Sequence, residues 1–141
     1  MNKQEKDLLV VLRAVAVRPA LYFGRISLPA LSHFLNGYSE ALRRNGESED
    51  IMAGWTRWIE LQFLISSPAW HWTRIIAHSH EDDISAFNSL PDLYARFVAE
   101  RRRNGIEWIE RELNVRLQEK YGETWHHPEN SRTSNDWFNS H

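Results

Sequence analysis

At 141 residues, with 42 % hydrophobic and 26 % charged side chains, the chain has the length of one domain and enough apolar content to bury a core without covalent staples. Its net charge of −2 creates no global field that would draw in nucleic acid, so any such contact has to rest on a local cluster. The absence of cysteine excludes a disulfide framework and a thiol nucleophile, and no apolar run approaches the roughly eighteen residues of a membrane span.

Leu8, Leu9, Leu12, Val15 and Ala16 recur at helical spacing, which predicts a first helix from about Lys3 to Val17. Arg18-Pro19 ends it, because the residue before a proline is pushed towards extended geometry. A tight extended connector is expected up to Gly24, with at least two of Leu21, Tyr22 and Phe23 plugged into the core. Ser27 and Pro29 form a cap-and-proline start for a second helix. Leu31, Phe34, Leu35, Tyr38 and Leu42 make its apolar face, and Arg43-Arg44 before Gly46 suits a helix C-terminus. After the acidic connector Glu47-Ser48-Glu49-Asp50, a third helix is expected from Ile51 to Ile65, facing inward through Trp55, Trp58, Ile59, Gln62 and Phe63.

Ser67-Pro68 repeats the cap-and-proline device before a helix from Ala69 to His78. His80-Glu81-Asp82-Asp83 opens another with an acidic first turn, and Ile84, Phe87 and Leu90 are its apolar positions. Pro91 is expected to break it and start a fresh helix through Leu93, Tyr94, Phe97 and Val98 to the basic turn Arg101-Arg102-Arg103. A last helix takes Ile106 to Tyr121 through Ile109, Leu113 and Leu117, and Gly122 stops it. Residues 123–141 have no period and read as an irregular polar tail carrying Trp125, Trp137 and Phe138. The expected fold is therefore all-α: a single compact domain of about six helices over residues 1–122, with the tail beyond it. Met1 to Asp7 contains no apolar block, so no signal peptide is expected and the cytoplasm is the expected location.

Of the seven tryptophans, most are expected in the core, with room for an exposed aromatic site. The most enzyme-like string is His78-Ser79-His80-Glu81-Asp82-Asp83. It resembles the H-x-H-x-D-H signature of the metallo-β-lactamase superfamily, but Asp83 stands where the last histidine belongs, and neither the preceding strand nor the longer αββα chain is present. A reduced form would make a metal-dependent enzyme of His71, His78 and Asp82. Against it stands the reading of an acidic helix start beside surface histidines. His126-His127 reads as a solvated pair. There is no nucleophile elbow and no phosphate-cradling glycine loop, so no catalytic residue and no cofactor are assigned. Glu107, Glu110 and Glu112 with Arg111 have the mixed-sign pattern of a solvated face. Arg96 with Arg101 to Arg103 could touch phosphates, yet a helix C-terminus selects the same residues, and direct nucleic-acid binding is not expected.

Ala16-Val17-Arg18-Pro19 through Gly24 looks like a segment of gyrase-type ATPases. Asn36 and Glu40 stand in the wrong order for that family, and its D-x-G-x-G loop is missing. The fuller match is R-P-x-L-Y-x-G-x-x-S-L-x-x-L-x-x-F-L-x-G-Y, Arg18 to Tyr38, which is similar to the opening motif of a family of small bacterial proteins. Trp72-Thr73-Arg74-Ile75-Ile76 and Asp82 through Phe87 resemble its later parts. Members look like immunity proteins encoded beside polymorphic or contact-dependent toxins. The resemblance implies a stoichiometric antitoxin that occludes a cognate toxin domain, and it supplies no catalytic residues. For a cationic nuclease as the toxin, the expected partner-binding residues are Glu47, Glu49, Asp50, Glu81, Asp82 and Asp83, assisted by exposed Trp70 or His71. An adaptor or dimeric structural protein using the tail aromatics is the remaining alternative.

Overall fold

The computed structural model describes residues 1–46, 50–67 and 69–122. Among them are seven helices and no strand: α1 (Lys3–Val17), α2 (Pro19–Phe23), α3 (Leu28–Arg44), α4 (Trp55–Phe63), α5 (Trp72–His78), α6 (Asp83–Asn104) and α7 (Ile106–Tyr121). The all-α expectation holds, with one shared core. The expected irregular tail, Trp125, His126, His127, Trp137 and Phe138 included, lies outside the described residues.

Local signals start most of these helices. Asn2 caps α1 by accepting from the Glu5 amide at 2.8 Å, while the Glu5 carboxylate returns to the Asn2 amide, also at 2.8 Å. This reciprocal pair satisfies two amides that the first turn leaves without partners. Ser27 Oγ accepts from the Ala30 amide at 3.2 Å at the head of α3. The apolar stripes then meet as the periodicity requires. Leu8, Leu12 and Val15 of α1, Leu31 and Leu35 of α3, and Ile109, Leu113 and Leu117 of α7 are all buried.

At the centre lies α4, on which every residue from Trp55 to Leu61 is buried. Trp55 is the hub: its ring centroid is 5.9 Å from that of Trp58, 5.6 Å from Trp72 and 5.4 Å from Phe97. Edge-on and offset contacts of this kind add to the area that such large rings bury. Two of the buried aromatics have their polar ends tied off, whereas Trp55 Nε1 is buried without a hydrogen-bond partner among the described residues. Trp58 Nε1 donates to the Glu100 carboxylate, and the Tyr94 hydroxyl donates to the Ile51 carbonyl at 3.2 Å. Burial pushes the Tyr94 phenol up from its ordinary range. A helix buried on all sides also carries its charges inside: Arg57 meets Glu60 at 3.0 Å and Glu110 at 3.4 Å. Glu110 thus leaves the solvated face expected for it and reaches into the core from α7.

Several expected boundaries move. Arg18 is non-helical (φ −142°, ψ 69°), as its place before proline demands, but Pro19 then opens α2 from the first position, where a missing N–H costs nothing. A five-residue helix points only one side inward. Phe23 reaches the core, 5.8 Å from Phe34 and 6.2 Å from Phe87 between ring centroids, whereas Leu21 and Tyr22 are 72 % and 50 % exposed. The expectation that two of the three would be buried is therefore corrected to one.

The helix expected from Ile51 starts only at Trp55, because Gly54 takes the left-handed conformation (φ 88°) and closes a separate turn first. The helix expected from Ala69 starts at Trp72 with His71 as its cap; Pro68 lies outside the described residues. Pro91 does not restart a helix but sits inside α6. Phe87, Leu90, Tyr94 and Phe97 form one buried stripe across it. Burying four such side chains at roughly 1.5–3 kcal/mol each outweighs the proline's interior penalty of roughly 3 kcal/mol. Ile84, expected on that stripe, is instead 54 % exposed.

The orientation of α1 against α6 determines which surfaces share an end. Glu5, on the first turn of α1, bonds Arg101 at 2.7 Å and Arg102 at 2.6 Å on the last turn of α6. The two helices therefore run antiparallel along their packed faces, and the C-terminal end of α1 lies towards the N-terminal half of α6.

Candidate functional site

The acidic residues singled out in the sequence separate into two places. Asp82 caps α6, its Oδ1 accepting from the Ser85 amide at 2.7 Å. That bond, with a second from the Ser85 side chain, holds its carboxyl below the ordinary aspartate range. Glu81 and Asp83 flank it, exposed. Asp50 lies at the other end of the same helix, where Arg101 donates to its carbonyl at 3.3 Å and its carboxylate accepts from the Met52 amide at 2.9 Å. From Asp82 to Arg101 the helix rises about 28 Å at about 1.5 Å per residue. One compact contact cannot be centred on both. Glu47 and Glu49 lie outside the described residues.

Of the aromatic candidates, Trp70 lies against His78 on the last turn of α5, the helix that leads into Glu81, while His71 caps the other end of that helix. Trp70 is half-buried rather than exposed, since its indole is held on two sides by α5. The Arg74 guanidinium lies 4.2 Å from its ring centroid and the His78 ring 5.2 Å away in an edge-on arrangement. His71 is committed to structure. Its Nδ1 accepts from the Thr73 amide at 3.3 Å and lies 2.9 Å from Thr73 Oγ1. An accepting Nδ1 places the ring proton on Nε2, which stands 3.4 Å from Ser32 Oγ as donor. The ring thereby links α5 to α3.

The histidine-rich string closes a helix instead of presenting ligands. Ser79 Oγ donates to the Ile75 carbonyl at 2.9 Å, and His80 Nδ1 lies 2.8 Å from the Ile76 carbonyl. These bonds satisfy carbonyls that the last turn of α5 leaves free. His71, His78 and Asp82 are each engaged separately, and among the described residues no three His, Asp or Glu side chains are grouped so as to hold a metal ion. No helix among the described residues is long and apolar enough to cross a membrane.

The basic turn at the end of α6 is similarly occupied. Arg101 donates to the Glu5 carboxylate and to the carbonyls of Asp50 and Ala53, and Arg102 donates to Glu5. Arg96 bonds Gln62 at 2.8 Å. These arginines hold the fold together before they can hold a phosphate. Burial alone would raise the Glu5 carboxyl, but the Asn2 amide and the two guanidinium groups outweigh it and leave it below the ordinary glutamate range.

Two participants had no sequence signal: Arg74, which clamps Trp70, and Ile84, which stands exposed beside the acids. Helical periodicity had placed Ile84 inside, and only the path of α6 over the core turns it out. No family model, curated protein or solved structure matches the chain.

Proposed function

We propose that the chain is an immunity protein that binds a cognate bacterial toxin domain in the cytoplasm and neutralises it by covering it, without bond-making chemistry of its own. The observation that carries this reading is the end of the molecule where α5 passes to α6. There the exposed Glu81 and Asp83, which have no ion-pair partner among the described residues, stand with Asp82 and the exposed Ile84 at the start of α6, and the clamped Trp70 rests against His78 at the end of α5. Carboxylates without cations speed and orient the approach of a cationic surface. A rigid indole and an aliphatic side chain supply the desolvated anchors that give such a contact its affinity. A cationic nuclease domain is the toxin class that this charge fits. The motif from Arg18 to Tyr38 supports the same reading through its resemblance to immunity proteins.

Co-expression with the toxin encoded by the neighbouring gene is the test. Cells survive if the chain neutralises that toxin, and survival is lost when Glu81 and Asp83 are both replaced by lysine. Killing that continues at equal stoichiometry with the unaltered chain would refute the proposal.

A further inference from the structure

Several exposed apolar side chains gather at one end of the molecule, while others, Met1, Ile106 and Val115 among them, lie elsewhere. On α1, Val10, Ala14 and Val17 follow one another at i, i+4 and i+7 on the face turned away from Leu8, Leu12 and Val15, and Val17 at the tip is 77 % exposed. Leu21 and Tyr22 of α2 and then Ile26 continue the exposed series. Interspersed are Arg13, Arg18 and Arg25, all exposed and without an ion-pair partner among the described residues. From Leu8 to Ser39 the sequence contains no aspartate or glutamate at all. An apolar surface studded with cations therefore covers the C-terminal end of α1 together with α2.

The same end carries the opposite charge a short distance away. Phe23 fastens α2 to Phe87 of α6, one turn from the exposed Ile84 and its neighbours Glu81, Asp82 and Asp83. The antiparallel packing of α1 on α6, fixed at the far end by Glu5, brings the tip of α1 to this region as well. The end thus has a cationic half around Val17, Leu21 and Tyr22 and an anionic half around Ile84. No ion pair joins the two halves.

We propose that this end is a self-association surface whose occupant is a second copy of the chain, docked about a two-fold axis. Such an axis between the halves sets the cationic half of each copy on the anionic half of the other. A two-fold contact requires a self-complementary patch of this kind. The apolar side chains supply attraction by leaving water, and the charges set the register. An anionic membrane would suit the cationic half but would be repelled by Glu81, Asp82 and Asp83, so the bipolar pattern favours a protein with the reversed pattern. This chain is one. The dimer covers the same Glu81, Asp82, Asp83 and Ile84 that the toxin reading uses, so a bound toxin would displace the second copy; the inference is tested on the purified chain alone, which keeps its failure distinct from a failure of that reading.

Sedimentation velocity on the full chain, from about 1 μM to about 200 μM, reads the association directly. The expected result is a monomer–dimer equilibrium that weakens as salt rises from about 0.05 to about 0.5 M. Leu21→Glu, at an exposed position that leaves the fold intact by circular dichroism, raises the dissociation constant at least about tenfold. Reversing Arg18 and Arg25 to glutamate leaves only Arg13 of the three cations and makes the end predominantly anionic; reversing Glu81 and Asp83 to arginine leaves only Asp82 of the three acids and makes it predominantly cationic. Each folded variant alone is expected to be monomeric, and an equimolar mixture of the two to form a one-to-one dimer. A wild-type chain that stays monomeric throughout, including one that sediments with anionic vesicles instead, overturns the proposal. So does a dimer indifferent to Leu21→Glu, or a mixture of reversed variants that does not pair.

Discussion

The two ends of α6 obey the same electrostatic rule and come to opposite uses. At its N-terminus the helix dipole is met by Asp82 and Asp83, and at its C-terminus by Arg101, Arg102 and Arg103. The difference is what the rest of the chain brings to each end. At the C-terminus α1 delivers Glu5, only 2 % exposed, and the arginines become the clamp between α1, α6 and the turn at Asp50. Nothing among the described residues delivers a cation to Glu81 or Asp83, and they remain at the surface. A run of like charge at a helix end is thus tied into the fold or left at the surface according to its tertiary neighbours alone.

This contrast is open to measurement, starting with its largest consequence. Glu5→Ala removes the shared acceptor of two guanidinium groups, one of them three-quarters or more buried, together with half of the α1 capping box. Denaturant unfolding is expected to show a loss of about 3 kcal/mol. A loss below about 1 kcal/mol would mean that this end, too, is merely a solvated charge cluster.

The pH dependence sharpens the same point. Because the Glu5 carboxyl lies below its ordinary range in the folded chain, the unfolded state takes up its proton first. The stabilisation is present above the ordinary glutamate value and is lost as pH falls through the folded one. The stability difference between wild type and Glu5→Gln is therefore expected to be constant near neutrality and to shrink on acidification. A difference independent of pH would show that the Glu5 charge is not what joins the helices.

Smaller effects belong to the other end. Asp82→Ala deletes the α6 cap and is expected to lower stability by about 1 kcal/mol. Glu81→Gln with Asp83→Asn removes charge without removing a contact, and the free energy of unfolding should stay within about 0.5 kcal/mol of wild type. If this double change destabilised as much as Glu5→Ala does, the distinction between the two ends would fail.

How much of this could be read from the sequence depended on whether the deciding contact was local. The stripes through Leu8, Leu12 and Val15, and through Ile109, Leu113 and Leu117, were legible because a helix buries what its own period lines up. The caps at Ser27 and Asp82 were legible for the same local reason. Nothing along the chain singled out Glu5, because its guanidinium partners lie 96 and 97 positions away. Pro91 obeyed its local rule in isolation, but the stripe from Phe87 to Phe97 overrode it. Leu64 takes a left-handed conformation (φ 51°) at the end of α4, which no leucine announces; Lys120 of α7 donates to its carbonyl at 2.7 Å. Among the site residues, Asp50 and Asp82 looked alike along the chain and fell at opposite ends of one helix. Trp70 was expected in solvent but is half-buried, because Arg74 and His78 enclose it.

Under the proposed function, the acidic end of α6 covers a toxin while the Glu5 end only holds the fold. The direct measurement is residual activity of the purified toxin domain from the neighbouring gene, titrated with three folded chains: wild type, Glu81→Lys with Asp83→Lys, and Arg102→Gln as a control at the far end. Full inhibition near one equivalent is expected for wild type and the control, and loss of inhibition for the lysine variant. Equal inhibition by all three, or an active toxin in the presence of excess wild-type chain, would contradict it.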